Sequence, residues 1–184
     1  MRKIVPIAAA VLLFASTEAF ANKCGNATAY QESVHGIPQH LLTAIARAES
    51  GQWNAETRQV EAWPWTVTSP QGDIKYPTKW AAIQAVRDLQ RRGVRNIDVG
   101  CMQVNLRYHP RAFRNLNLAF SPAHNVAYAA RFLKKLYGET GDWRMAVAYY
   151  HSRKPKHYLP YQAKVEELWQ EARETIGFAN AFST

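Results

Sequence analysis

A carboxylate closes a stripe that is otherwise apolar. In Leu41-Leu42-Thr43-Ala44-Ile45-Ala46-Arg47-Ala48-Glu49-Ser50-Gly51, Leu42, Ile45, Ala46 and Glu49 recur at helical spacing and share one face. Pro38 is pre-set for a first helical turn, and Gly51 reads as the residue that ends the helix. Burial disfavours an ionised carboxyl, and so does the negative pole at the end of its own helix. Both effects raise the pKa of Glu49, as a general acid working near neutrality requires. The plainer alternative is a last-turn Glu that reaches out to water. Arg47 points about 160° away from Glu49, at about 100° per residue, so it does not oppose the shift.

Acid–base chemistry often pairs two carboxylates. Asp98, Glu61 and Asp73 are the candidates, and no spacing forces any of them to face Glu49. The six histidines show no metal-ligand spacing: His35 and His40 are separated by a Gly-Ile-Pro break, and there is no His-Glu-x-x-His. Neither a metal nor a cofactor is expected.

The elements that must hold Glu49 are mostly helical. Asn26 to Val34 is moderately helical. Trp63–Thr68 and Ile74–Tyr76 read as strands around a turn at Pro70-Gln71-Gly72-Asp73, the one convincing β signal. Thr78 is a plausible N-cap for a helix through Arg92, with Ala82, Ile83, Val86, Leu89 and Gln90 inward and Gly93 at its end. Ser121 and Pro122 open a helix with Val126, Ala129, Ala130, Leu133, Leu136 and Tyr137 on one face, closed by Gly138. Asp142 caps a helix that turns Trp143, Ala146, Val147 and Tyr150 inward. Pro155 and Pro160 bracket a linker before a last helix from Tyr161 to Ile176, with Val165, Leu168, Trp169 and Ala172 inward. The sum is a mainly α domain with a small β-hairpin.

The first residues stand apart. Arg2 and Lys3, an apolar run from Ile4 to Phe14, and Ala19-Phe20-Ala21 resemble a secretory leader cut after Ala21. The run is too short for a permanent membrane span, and Cys24 lacks a lipoprotein context, so no stable membrane anchor is expected. Residues 22–184 form one domain, expected to be periplasmic or secreted and monomeric. In such a compartment Cys24 and Cys101 pair most economically as a disulfide, with two buried thiols as the alternative. The formal charge is +9. In an exported protein this suits an anionic wall polymer better than nucleic acid.

Five separated stretches resemble one family in the right order: Ala48-Glu49-Ser50-Gly51, Asp98-Val99-Gly100-Cys101-Met102-Gln103-Val104-Asn105, Asn125-Val126, Ala146-Val147-Ala148-Tyr149-Tyr150-His151 and Tyr161-Gln162-Ala163-Lys164-Val165. They are similar to the motifs of lysozyme-like lytic transglycosylases of the soluble (SLT) type, and the Asp-Val-Gly form resembles members that accompany envelope-spanning secretion machines. Cys101 stands where the family has Leu, His151 where it has Asn, Ser152 where it has Ala, and Ala129 where Gly is common.

The resemblance implies an α+β lysozyme-like fold and a peptidoglycan substrate. It further implies one Glu, Glu49, acting first as acid and then as base, with the substrate's acetamido group assisting. The muramic C6 hydroxyl then closes an anhydro ring. Gly100 would let backbone approach a sugar, Met102 would supply an adaptable apolar floor, and Gln103 and Asn105 would bond acetamido and hydroxyl groups. Ser50 would orient Glu49, Tyr150 would reach the site from an apolar face, and Tyr161 would hydrogen-bond Glu49. Among Trp53, Trp63, Trp65 and Trp80, packing is favoured for Trp80, while sugar stacking and packing stay open for Trp63 and Trp65. The rival functions are a hydrolytic lysozyme using Asp98 or Glu61, and an inactive wall-binding adaptor of a secretion apparatus.

Overall fold

The computed structural model describes the backbone of residues 18–181 and the side chains of residues 23–174. The charged start and apolar run of the expected leader lie outside the described residues. The described chain is mainly α with a small antiparallel β portion. Its helices are α1 (Glu18–His35), α2 (Leu41–Ser50), α3 (Lys79–Arg91), α4 (Leu116–Ala119), α5 (Pro122–Thr140), α6 (Trp143–His151) and α7 (Pro155–Ala181). Its strands are β1 (Gly51–Asn54), β2 (Gln59–Ala62), β3 (Thr66–Ser69), β4 (Gly72–Lys75), β5 (Asp98–Val99) and β6 (Val104–Asn105). None of the described helices is long and apolar enough to cross a membrane.

Helix α2 packs against both α1 and α7, with Leu41, Leu42, Ala44, Ile45 and Ala46 buried. Pro38 does not open it. The helix begins three residues later, after a turn in which the Pro38 carbonyl accepts the Leu41 N–H. His40 at the N-cap is left-handed (φ 67°) and offers no side-chain cap. A buried carboxylate of α1 does that work instead: Glu32 accepts N–H bonds from His40 (2.8 Å) and Thr43 (3.1 Å), where the helix dipole favours an anion. Burial holds the Glu32 carboxyl above its usual pKa despite those bonds. At the other end Gly51 keeps φ at −58° and leads straight into β1. Glycine is needed there for space, since a Cβ would lie 2.2 Å from the Arg47 carbonyl oxygen and 2.5 Å from Val60 Cγ1.

There is more β structure than the one expected hairpin. β3 and β4 form that hairpin, with strand starts three and two residues from the expected ones and strand ends within one, and the sheet continues in the order β4-β3-β5-β6. β1 and β2 form a second, separate hairpin. Their burial does not alternate, so period-two reading had nothing to find.

Several helix limits also differ. Gln90 is exposed while Leu89 takes the buried position. Helix α5 runs through Gly138 to Thr140 and ends on left-handed Gly141 (φ 67°), whose N–H bonds to the Tyr137 carbonyl. The expected linker between Pro155 and Pro160 is the first part of α7. Pro155 sits at the first helical position, where a missing N–H costs nothing, and Pro160 forgoes one bond near the start. The caps at Thr78 and Asp142 are as expected: their side chains accept N–H bonds from Ala81 (3.2 Å) and Arg144 (2.9 Å).

Two hydrophobic clusters meet at residues 99–102. One joins α1, α2, α5, α6 and α7 and includes Leu42, Ile45, Val126, Leu133, Val147 and Val165. The other lies between α3 and the larger sheet and includes Trp65, Ile83, Val86, Ile97 and Phe120. Val99 belongs to the second, Cys101 and Met102 to the first. A disulfide joins Cys24 of α1 to Cys101, with the Cα atoms 5.9 Å apart. Ser50 Oγ donates to the Cys101 carbonyl (2.8 Å), and Tyr150 Oη to the Met102 carbonyl (2.8 Å). Asn125, fully buried, accepts the Met102 N–H (2.9 Å) and donates to the carbonyls of Val99 (2.9 Å) and Ala119 (3.0 Å). This segment is over-determined.

The disulfide bridges residues 77 apart in sequence, and closing so long a loop contributes up to about 4 kcal/mol in the chain-entropy model. Reductant should therefore lower the melting temperature, and the oxidised protein should resist thiol labelling. Two readily labelled thiols in untreated, folded protein would contradict the pairing.

Candidate active site

Glu49 reaches a cleft of about 530 Å³ lined also by Asp98, Gln103, Asn105, Tyr128, Tyr150 and His151. The residue is half-buried, and its carboxyl lines the cleft while losing much of its hydration to the surrounding protein. Burial pushes its pKa up to about 7. The Tyr161 hydroxyl, donating to Oε1 at 2.7 Å, works against burial, the Asp98 charge adds to it, and the Lys164 charge opposes it. The sequence places no Lys beside Glu49, but Lys164 of the Tyr161–Val165 motif comes there from α7 and donates from Nζ to the Ala48 carbonyl (2.8 Å) at the end of α2. Tyr161 is buried, and the His151 ring stacks on it with centroids 4.3 Å apart and planes 11° apart. Burial and the nearby Glu49 charge hold the hydroxyls of Tyr161 and Tyr150 well above the usual tyrosine pKa. Both therefore remain donors.

The facing wall comes from residues 98–105. Burial raises the Asp98 carboxyl, with a bond from Asn105 opposing it. Asn105 Nδ2 donates to both Asp98 Oδ1 and Asn96 Oδ1 (2.8 Å each), and its Oδ1 accepts the N–H groups of Arg107 and Tyr108. Gln103 has left-handed backbone (φ 43°). Its Nε2 donates to the carbonyls of Gly100 (2.9 Å) and Thr66 (3.2 Å), and its Oε1 accepts from Thr68 Oγ1 (2.6 Å). Gly100 is left-handed too (φ 83°), and a Cβ there would lie 2.5 Å from Asn125 Nδ2.

Of the residues singled out in the sequence, Glu49, Gln103, Asn105 and Tyr150 line the cleft. Tyr161 touches it through Glu49. Ser50, Gly100 and Met102 stand behind the wall: Ser50 and Met102 are fully buried, and Gly100 presses on Asn125. Asp98 shares the cleft with Glu49, whereas Glu61 lines a different one. Asp73 also lines the Glu49 cleft but is ion-paired to Lys75 at 2.9 Å.

A whole aromatic wall went unread. His109, Tyr128 and Phe132 also line the cleft; the Tyr128 hydroxyl and His109 Nδ1 are 2.8 Å apart, and His109 meets Phe132 edge-on at 4.8 Å. The available signal was the i, i+4 spacing of Tyr128 and Phe132 beside the apolar stripe of α5.

None of Trp53, Trp63, Trp65 or Trp80 lines this cleft. Trp65 is buried with Trp63 edge-on against it, and Trp63 Nε1 donates to the Tyr76 carbonyl (2.7 Å). Trp80, expected to pack, is 71% exposed, because its place in the first turn of α3 lies off the buried stripe. Among the described residues no group of three or more His, Cys, Asp or Glu is arranged to hold a metal ion.

A family profile described as Transglycosylase SLT domain matches residues 26–157. No curated protein and no solved structure matches. The matched span contains Glu49, the 98–105 segment, Asn125 and Tyr150, while Tyr161, just past its end, closes onto Glu49. By a match over most of its length, the chain belongs to the transglycosylase SLT domain family.

Proposed function

We propose that the protein is an exported peptidoglycan lytic transglycosylase that cleaves the MurNAc–GlcNAc bond with Glu49 as its single acid and base. One feature carries the reading: Glu49 lines a cleft of about 530 Å³, and burial raises its pKa to about 7. A carboxyl in that state holds a proton at neutral pH and gives it up readily. Its proton passes to the glycosidic oxygen as the bond to C1 breaks, and the substrate's acetamido group stabilises the charge that develops. The same carboxylate, steadied by the Tyr161 hydroxyl, then takes the proton of the C6 hydroxyl as that oxygen closes on C1. No water enters the products, and intramolecular attack gains from high effective concentration. The aromatic wall of His109, Tyr128 and Phe132 offers apolar surface to sugar faces. The basic charge of the chain suits a wall bearing peptide carboxylates, and attachment to an envelope-spanning secretion apparatus is part of the same reading.

Asp98 favours one second reading. A carboxylate in the same cleft is what a hydrolytic lysozyme would use to activate water or to form a glycosyl intermediate. In the leading reading its charge instead helps to keep Glu49 protonated.

Mass spectrometry of digested sacculi separates the two: anhydro-muramic ends are expected, and reducing ends would transfer the assignment to hydrolysis. Glu49→Gln should lower release by at least roughly 10² to 10⁴-fold while the protein stays folded. Near-normal release by that variant would remove Glu49 from the chemistry.

The pH dependence has a definite sign. The acid form is the active one, so kcat/KM should fall as pH rises through about 7. Tyr161→Phe removes a bond that favours the charged form, so its falling limb should move to higher pH as its rate drops. A limb that moves to lower pH, or one at the ordinary Glu value, would contradict this electrostatic account.

A further inference from the structure

A second cleft, of about 430 Å³, opens on the side of α2 away from Glu49. Its wall combines Arg47 of α2 and Glu61 of β2 with Thr28, Thr43, Asn54 and Gln59. Opposite charges sharing a cleft ordinarily collapse onto each other, but no ion pair joins these two among the described residues. Neutral partners hold each of them. Arg47 Nη2 donates to Gln59 Oε1 (3.0 Å). Glu61 accepts from Asn54 Nδ2 at Oε2 (3.0 Å) and from Thr57 Oγ1 at Oε1 (2.8 Å). The guanidinium, with five donors in a fixed fork, has donors to spare for a carboxylate. Glu61 has lone pairs left for an ammonium. Thr43, half-buried and with its hydroxyl 2.8 Å from that of fully buried Thr28, adds polar surface between α1 and α2.

We propose that this cleft binds an amino-acid-type zwitterion, its carboxylate on Arg47 and its ammonium on Glu61. A ligand of one sign would leave one of the two without an opposite charge, whereas a zwitterion supplies one to each. The proposal deepens the wall reading, on which its biological source rests: wall peptide stems that carry a free amino-acid centre have this chemistry. A free amino acid has it too. The site sits two residues along α2 from Glu49, so a stem held there would lie behind the helix that carries the acid.

The test is calorimetric titration of the purified protein with meso-diaminopimelic acid. The controls are pimelic acid, which lacks the ammonium groups, and 1,5-diaminopentane, which lacks the carboxylates. Saturable binding of the diamino acid is expected, weaker by about tenfold or more for each control, as loss of one charge-assisted contact implies. Arg47→Gln and Glu61→Gln should each weaken the diamino acid to a similar degree, and Glu49→Gln should leave it unchanged. Since the controls use the unaltered protein, a variant that unfolds does not blunt the test. Absence of saturable binding, equal affinity for either control, wild-type affinity in both folded variants, or loss in Glu49→Gln would each overturn the proposal. Titration needs no turnover, so its outcome is independent of the glycan chemistry. Retention on sacculi then identifies the source. A drop in the variants on peptide-bearing sacculi, absent on amidase-stripped glycan, identifies a stem; equal retention beside intact calorimetric binding identifies the free amino acid.

Discussion

Keeping water away from one carboxyl while leaving it open to a cleft is the constraint on which the structure turns. Raising the Glu49 pKa from 4.5 to about 7 favours the neutral form by about 3 to 4 kcal/mol relative to an ordinary Glu, at about 1.4 kcal/mol per pH unit. That preference needs a rigid apolar surround. Helix α2 is buried along most of its length, sits between α1 and α7, and is capped at its start by the Glu32 carboxylate rather than by its own N-cap residue. At its end the chain leaves through Gly51, where no other residue fits. The Tyr161 hydroxyl and the Lys164 charge moderate the shift, so the acid stays strong enough to give its proton away.

The facing wall depends on a different device. Residues 99–103 carry two left-handed positions, Gly100 and Gln103, and a non-glycine residue there costs of order 1–3 kcal/mol. Such backbone persists only where its surroundings over-determine it. Here the disulfide, Ser50, Asn125 and Tyr150 each fix a neighbouring atom of the segment. Ser50 matters through this bond: the residue after the acid pins the opposite wall, so the spacing across the cleft is set next to Glu49 itself.

What could be read from the chain was what obeys a local period or a cap rule. The α2 stripe ending in Glu49, the caps at Thr78 and Asp142, and the main stripe of α5 are of that kind. The β1–β2 hairpin has no alternation, and the two-residue strands β5 and β6 are too short to show a period. Pro160 misled because a proline near a helix start costs only one bond. Glu32, Lys164, His109 and Asn125 act on elements distant in sequence, and only packing brings their partners within reach. Gly51 and Gly100 were legible as special positions, but their reasons, a crowded carbonyl and the Asn125 side chain, were not.

Direct titration of the Glu49 carboxyl bears hardest on this account. With ¹³C-labelled glutamate, and Glu49→Gln to assign the signal, the side-chain carboxyl resonance should move with a midpoint at about 7. A midpoint at the ordinary value of 4.5 in folded protein would mean that the carboxyl is solvated and ionised at neutral pH, and the acid role built on its burial would fall.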